Sequence, residues 1–131
     1  MTTLQRILIV SEGAHLSFAR SSFERRGFAV TLAKDCEAAL ESLLELPFDL
    51  VVVDFAPARD SIEFIKRVRA TPQLAGILIL IMADWGTGEP TLALSAGADA
   101  YEPNDEAKPI DPSRLITSIE RLLSWQVAAA N

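Results

Sequence analysis

FDLVVVDF, residues 48–55, carries an unbroken apolar run, Leu50 to Val53, that leads directly into the carboxylate of Asp54. A short run that is apolar at every position and rich in β-branched side chains is typical of a central parallel strand, because helices cover both faces of such a strand. Asp54 then stands at the carboxyl edge of the predicted sheet, where open α/β folds bind their ligands. The stretch therefore predicts a fold class and the place of a site.

The composition predicts a single acidic domain. The chain has 131 residues, of which 50% are hydrophobic. That is enough for one domain over residues 1–131, with a core from about residue 4 to about residue 124. The formal net charge of −6 argues against nucleic acid or a membrane surface as a partner, since both attract a positive footprint. A single cysteine, Cys36, and the lack of any apolar run near the roughly 20 residues that span a bilayer indicate a cytoplasmic protein.

Apolar runs alternate with helical patterns along the chain. Five segments have the length and composition of strands: Ile7–Val10, Phe28–Leu32, the stretch that ends at Asp54, Ile77–Met82, and a short one around Asp99–Tyr101. Strands that alternate with helices favour a parallel sheet with right-handed crossovers. We therefore predict an α/β fold with one doubly wound, five-stranded parallel sheet of flavodoxin-like order 2-1-3-4-5 and helices on both faces.

Local signals predict where several helices begin and end. Asp35 is expected to cap the second helix, and Asp60 with Glu63 resembles a capping box that opens the third. Gly97 is expected to end the fourth helix. Asp111, followed by a proline at the first helical position, is expected to begin the last one.

Three ionisable residues follow predicted strands and should therefore meet at the same edge of the sheet. Glu12 follows the first strand, Asp54 ends the third, and Lys108 follows the fifth. Two carboxylates held close together repel each other unless a cation lies between them, and carboxylates suit Mg²⁺. With a lysine ammonium they would form a phosphoryl site. The alternative is that each acid only caps a loop or helix and that Lys108 is a solvated loop residue.

Four stretches, in this order, resemble the receiver domain of bacterial two-component response regulators, the CheY-like fold: ILIVSE, PFDLVVVDF, AGADAY and KPIDPSRL. The resemblance covers nearly the whole chain, from Leu4 to Leu123. It implies a phosphoryl acceptor that receives its group from a sensor histidine kinase or a phosphotransfer protein. It also implies that the domain is not an enzyme beyond promoting its own phosphorylation and dephosphorylation.

The resemblance assigns a role to each candidate residue. It implies that Asp54 is the phosphoacceptor and that Glu12, Asp54 and the main-chain carbonyl of Ala56 ligate Mg²⁺. It implies that Lys108 contacts the phosphoryl oxygens, and that Tyr101 is the aromatic residue whose rotation reports phosphorylation.

The family commonly binds its partners through a face made by the fourth helix, the fifth strand and the fifth helix. In this sequence that face includes parts of Thr91–Ala96, Tyr101 and Ser113–Leu122. The resemblance implies that an effector protein or a second copy of the chain binds there. An exposed Leu94 would mark such a surface.

The sequence departs from the family pattern at four places near the predicted site. Pro57 lies three residues past Asp54 where the family usually has four, which shortens the loop that should aim the Ala56 carbonyl. Ser11 stands where a second acid is usual, which should weaken Mg²⁺ binding. Met82 stands where strand four normally ends in Thr or Ser, and a thioether has no hydrogen-bond donor. Moving the alignment by one residue offers Ala83, which has none either. Residues 102–107 contain an insertion before Lys108, and its acids would oppose a nearby anion.

Two forms of a receiver stay open at this point. In the active form Asp54 takes a phosphoryl group; in the degenerate form the fold is a docking module that works without phosphorylation. A different class, a small flavin- or nucleotide-binding protein of flavodoxin-like topology, would use Ser11 and Gly13 as a phosphate loop. One Ser and one Gly make a weak loop of that kind, and Glu12 would repel the phosphate.

Overall fold

The computed structural model describes residues 5–11, 19–54, 58–83, 94–103 and 111–130 of the chain. Its strands are β1 (Arg6–Ser11), β2 (Ala29–Ala33), β3 (Leu50–Asp54), β4 (Leu78–Ala83) and β5 (Ala100–Pro103). They form a five-stranded sheet in the order β2-β1-β3-β4-β5, and each neighbouring pair is parallel. The predicted sheet and its strand order are therefore confirmed.

Helices cover both faces of the sheet. They are α1 (Ala19–Arg25), α2 (Cys36–Glu45), α3 (Ala58–Ala70), the short 3-10 helix Pro72–Leu74, and the last helix (Pro112–Ala130). Residues of α1 and the last helix pack on one face, and residues of α2 and α3 pack on the other. This is the doubly wound arrangement that the alternation of strands and helices predicts.

Alternation of side chains along the strands divides the core into two clusters. The first lies under α1 and the last helix and includes Val52 and Ile119. The second lies under α2 and α3 and includes Val53 and Phe64. Every residue of β3 is buried, so its valines contribute to both clusters in turn. A fully buried valine or leucine side chain stabilises the fold by about 1.5–3 kcal/mol, and the central strand is therefore a main source of stability.

Three of the predicted helix signals are confirmed. The Asp35 side chain accepts a hydrogen bond from the Ala38 N–H at 2.8 Å and caps α2. Asp111 accepts one from the Ser113 N–H at 2.8 Å, directly before the last helix. Gly97, with a φ of 126°, follows a stretch of helical residues and turns the chain towards β5.

The capping box at the start of α3 is wrong. Asp60 lies inside α3, which begins two residues earlier at Ala58. The sequence pattern placed the start too late, because a carboxylate in the first turn of a helix is favourable whether or not it is the capping residue.

The fifth strand is shifted towards the C-terminus relative to the prediction. Pairing with β4 continues through Met82 with Glu102 and Ala83 with Pro103, which extends β5 beyond Tyr101. Asp99 precedes the strand, and its carboxylate accepts a hydrogen bond from the Ile79 N–H at 2.8 Å.

Within the described ranges, no helix combines the length and apolarity needed to cross a lipid bilayer.

Candidate functional site

Four strand-end residues form one row across the carboxyl edge of the sheet. Ser11 of β1 is in register with Asp54 of β3, Asp54 with Met82 of β4, and Met82 with Glu102 of β5. Register neighbours in a sheet point to the same face and lie about 4.8 Å apart. The row therefore brings a hydroxyl, two carboxylates and a thioether to one edge of the molecule.

Asp54 is the buried carboxylate of this row. It is 8% exposed, and among the residues that the structure describes it is the one polar or charged residue classed as buried. Its position follows from β3, whose preceding valines are fully buried in the middle of the sheet. Burial of a carboxylate is unfavourable unless other groups compensate its charge. A buried acid at the edge where open α/β folds bind ligands is therefore the candidate reactive group.

Met82 lies directly beside Asp54. The register joins Asp54 to Met82 rather than to Ala83, so the first of the two alignments weighed from the sequence describes the neighbour of the acid. The Met82 side chain is fully buried in the first core cluster. A thioether offers no hydrogen-bond donor, so this neighbour cannot donate a hydrogen bond to the Asp54 carboxylate.

Tyr101 occupies β5 in register with Ile81 of β4. Its half-buried ring packs against the second core cluster, under the α2 and α3 face. Met82 belongs to the opposite cluster, and the two residues therefore lie on different faces of the sheet. The role of Tyr101 as a switch residue stays a prediction.

Glu102 is a site residue from the stretch 102–107, which is predicted to contain an insertion. Glu102 and Pro103 belong to β5, which leaves positions 104–107 for that insertion, and the insertion itself stays a prediction. The Glu102 side chain is 15% exposed, and its Oε1 accepts a hydrogen bond from the Ser118 hydroxyl at 2.5 Å. Arg114 brings its Nε to 3.2 Å from Oε2. No sequence pattern joins these three residues, because two of them lie a turn apart on the last helix and the third on a strand.

Three predicted site residues lie outside the described residues: Glu12, Ala56 and Lys108. The predicted meeting of Glu12, Asp54 and Lys108 therefore stays a prediction. Leu94, from the predicted partner-binding face, is described and is 48% exposed.

Oxygen donors of the kind that Mg²⁺ prefers are present at the row. Asp54 supplies a carboxylate and Ser11 a hydroxyl on the neighbouring strand. No set of three or more His, Cys, Asp or Glu side chains is grouped as a metal site in the parts of the chain that the structure describes. The fit of Mg²⁺ thus depends on ligands from Glu12 and Ala56 in addition to Asp54.

Known proteins similar to this chain are response regulators. The transcriptional regulatory protein CpxR of Escherichia coli is 32% identical over 122 residues, which cover 92% of this chain and 50% of that protein. FixJ of Bradyrhizobium diazoefficiens, also a transcriptional regulatory protein, is 34% identical over 136 residues, with 99% of this chain and 62% of FixJ covered. The chain thus spans between half and two thirds of the length of these relatives. No family model matches the chain.

A similar fold is found in a solved receiver domain. The CheY-like response regulator receiver domain protein from Methanospirillum hungatei superposes with a TM-score of 0.82 at 25% identity, with 97% of this chain and 99% of that chain covered. Together with the strand order and the buried acid at the end of β3, these likenesses define the class: the chain is a CheY-like receiver domain of the response-regulator type. That class serves two-component signalling, and these relatives give no support to the flavin or nucleotide alternative.

Proposed function

We propose that Asp54 accepts a phosphoryl group from the phosphohistidine of a sensor kinase or a phosphotransfer protein. In this transfer the P–N bond of the donor breaks, a P–O bond forms to a carboxylate oxygen of Asp54, and the imidazole nitrogen takes up a proton. The observation that carries the proposal is the burial of Asp54, 8% exposed, at the carboxyl edge of the central strand. A carboxylate at that edge lies where open α/β folds bind their ligands, and the protein shields most of its surface from water.

The residues that would hold Mg²⁺ are Asp54, Glu12 and the carbonyl of Ala56, with Lys108 next to the phosphoryl oxygens. A divalent ion with an ammonium group neutralises negative charge on a transferred phosphoryl group. Ser11 supplies a neutral hydroxyl where an acid would add charge, and the affinity for Mg²⁺ should therefore be low. The domain is proposed to act as an acceptor and not as an enzyme on other substrates.

A second candidate is a docking module that keeps the fold without the chemistry, and Met82 favours it. The neighbour of Asp54 on β4 has no hydroxyl to bond a phosphoryl group, and its side chain is fully buried. A phosphoryl group at Asp54 would therefore gain no hydrogen bond from the Met82 side chain at the end of β4. Under this candidate the domain binds its partner in the same way whether or not phosphoryl donors are present.

The partner-binding surface is proposed to be the face that includes Leu94, Tyr101 and the exposed side of the last helix. Leu94 is a large apolar side chain that is 48% exposed, which suits contact with another protein. An effector protein or a second copy of the chain is the proposed occupant. CpxR and FixJ are named as transcriptional regulatory proteins, and any link of this chain to transcription is part of the proposal.

Incubation with acetyl phosphate and Mg²⁺, followed by intact-mass measurement, tests the proposal. The wild-type chain should gain one phosphoryl group, and Asp54→Asn should gain none. Asp35→Asn is the matched control, because asparagine caps a helix as well as aspartate does and the fold is preserved. If wild type and Asp54→Asn behave alike at millimolar Mg²⁺, phosphoryl transfer to Asp54 is refuted and the docking module is the better description.

A further inference from the structure

Glu102 lies in the same row as the candidate phosphoacceptor, two strands away. Asp54 is in register with Met82, and Met82 is in register with Glu102. Two strand spacings of about 4.8 Å place the backbones of Asp54 and Glu102 about 10 Å apart. Both residues are at positions that alternate with the second core cluster, and they therefore lie on the face of the sheet that α1 and the last helix cover.

A buried side chain stands between the two acids in the row. Met82, which separates them in the row, is fully buried and packs in the cluster that includes Leu115 and Ile119 of the last helix. A fully buried thioether side chain leaves little room for water or salt ions between the acids. Charges that face each other through such a medium are screened much less than charges on a surface.

Glu102 in turn holds β5 to the last helix. Its Oε1 accepts a hydrogen bond from Ser118, and its Oε2 is 3.2 Å from the Arg114 Nε. Oε2 is buried, yet among the described residues no donor is aligned to form a hydrogen bond with it. A buried oxygen without an aligned donor is unfavourable, so the contact between Glu102 and Arg114 is present but weak. Small changes in the local field should therefore alter it.

We propose that Glu102 is a positioning residue that transmits the charge at residue 54 to the last helix, through its contacts with Ser118 and Arg114. The sense of the coupling follows from like-charge repulsion. Less negative charge at residue 54 strengthens the Glu102 contacts, and more negative charge weakens them. One unit of charge at about 10 Å, with an effective dielectric constant of about 20, shifts such an equilibrium by roughly tenfold. As a route of regulation the coupling rests on the proposed function, but as an interaction between two acids it needs no phosphoryl group.

The test is a double-mutant cycle between Asp54→Asn and Glu102→Gln, read in two ways. Glutamine keeps the shape of Glu102 and an oxygen for the Ser118 hydroxyl. The first readout is the equilibrium constant of unfolding, where the cycle should show a coupling of about threefold to tenfold that high salt reduces only slightly, because a buried side chain lies between the two acids. The second is the NMR signal of the Arg114 side-chain Nε–H. Asp54→Asn should shift that signal in the wild-type background and leave it unchanged in the Glu102→Gln background.

Glu120→Gln is the matched control. Glu120 also lies on the last helix and pairs with an arginine at 3.1 Å, but this partner, Arg26, precedes β2 and so lies towards the amino edge of the sheet, opposite the row. Asp54→Asn should therefore be additive with Glu120→Gln. Additive behaviour of Asp54→Asn with Glu102→Gln, or an Arg114 shift that survives Glu102→Gln, would overturn the proposal.

The test stays decisive if Glu102→Gln does not fold. Arg114 is 63% exposed, so Arg114→Gln should fold and removes the partner on the helix instead. In that background Asp54→Asn should shift the amide signals of residues 114–118 less than it does in the wild-type background, because only the Ser118 contact with Glu102 is left, and an undiminished shift would refute the proposal. No phosphoryl donor is used in any arm. A failure of Asp54 to accept a phosphoryl group would therefore leave these results unaltered.

Discussion

Arg69, at the end of α3, ties three segments of the chain together through one guanidinium group. Its Nε and Nη2 donate to the Gly97 carbonyl oxygen at 3.0 and 2.7 Å, and its Nη1 donates to the carbonyl oxygens of Ala75 and Ile77 at 2.8 and 2.6 Å. Nη2 also donates to the Asp99 carboxylate at 2.9 Å. We expect Arg69→Ala to lower the free energy of unfolding by about 3 kcal/mol.

The magnitude follows from which acceptors are sheltered from water. The carbonyls of Gly97 and Ile77 are bonded at part-buried positions, and leaving such an acceptor without a donor costs about 1–3 kcal/mol each. The bond to Ala75 is exposed, so water replaces Arg69 there, while the Asp99 carboxylate, 25% exposed, keeps its hydrogen bond from the Ile79 N–H when Arg69 is removed. The Arg69 stem also covers Gly97, where an added Cβ would lie 2.7 Å from the Arg69 Cγ.

Urea unfolding followed by far-UV circular dichroism measures this loss. Arg67→Ala is the control on the same helix, because Arg67 pairs with Glu37 at 2.9 Å while both side chains are more than half exposed. It should change the stability by less than about 1 kcal/mol. Arg69→Lys should recover under half of the loss, since an ammonium cannot reproduce the planar fork. Equal effects of Arg69→Ala and Arg67→Ala, or full recovery with lysine, would refute the reasoning.

Three further predictions concern a cap, a turn and the neighbour of Asp54. Asp35→Ala should cost about 1 kcal/mol in urea unfolding while Asp35→Asn costs almost nothing, and equal losses would contradict the capping role. Gly27→Ala should lower the stability by about 1–2 kcal/mol because φ is 93° there. Gly76→Ala should be neutral or slightly stabilising. An added Cβ would contact nothing at either glycine, but φ is not positive at Gly76. Met82→Thr should lower the free energy of unfolding by about 2–4 kcal/mol, because core packing is lost. The same substitution should strengthen the NMR response to beryllofluoride and Mg²⁺. An unaltered response would argue against a role for the missing hydroxyl.

The fold was predictable because its signals are local and repeat along the chain. The buried run before Asp54, the alternation of strands with helices, and the caps at Asp35 and Asp111 each depend on neighbouring residues in sequence. The prediction failed at the start of α3, where one sequence signal is compatible with two positions in a helix. A carboxylate such as Asp60 is favourable both as a cap and within the first turn of a helix, and the pattern does not distinguish them.

The chemical type of the site was also predictable in part. Asp54 follows the most buried strand in the sequence, and this order alone places a carboxylate at the ligand-binding edge of an open α/β sheet. The residue beside it was less certain, since two alignments gave either Met82 or Ala83. Strand pairing decides this point, because register is set by side-chain packing across the whole sheet and a one-residue slip would turn every side chain to the other face.

The sequence by itself determined the α/β class and the acid at the end of β3, because hydrophobic periodicity is written along the chain. The tertiary structure alone decided that Glu102 belongs to β5 and contacts Ser118 and Arg114. It alone also decided that Arg69 joins α3 to the turn at Gly97. These contacts connect residues that are far apart or differently spaced in sequence, and they form once packing of the core has placed their backbones side by side.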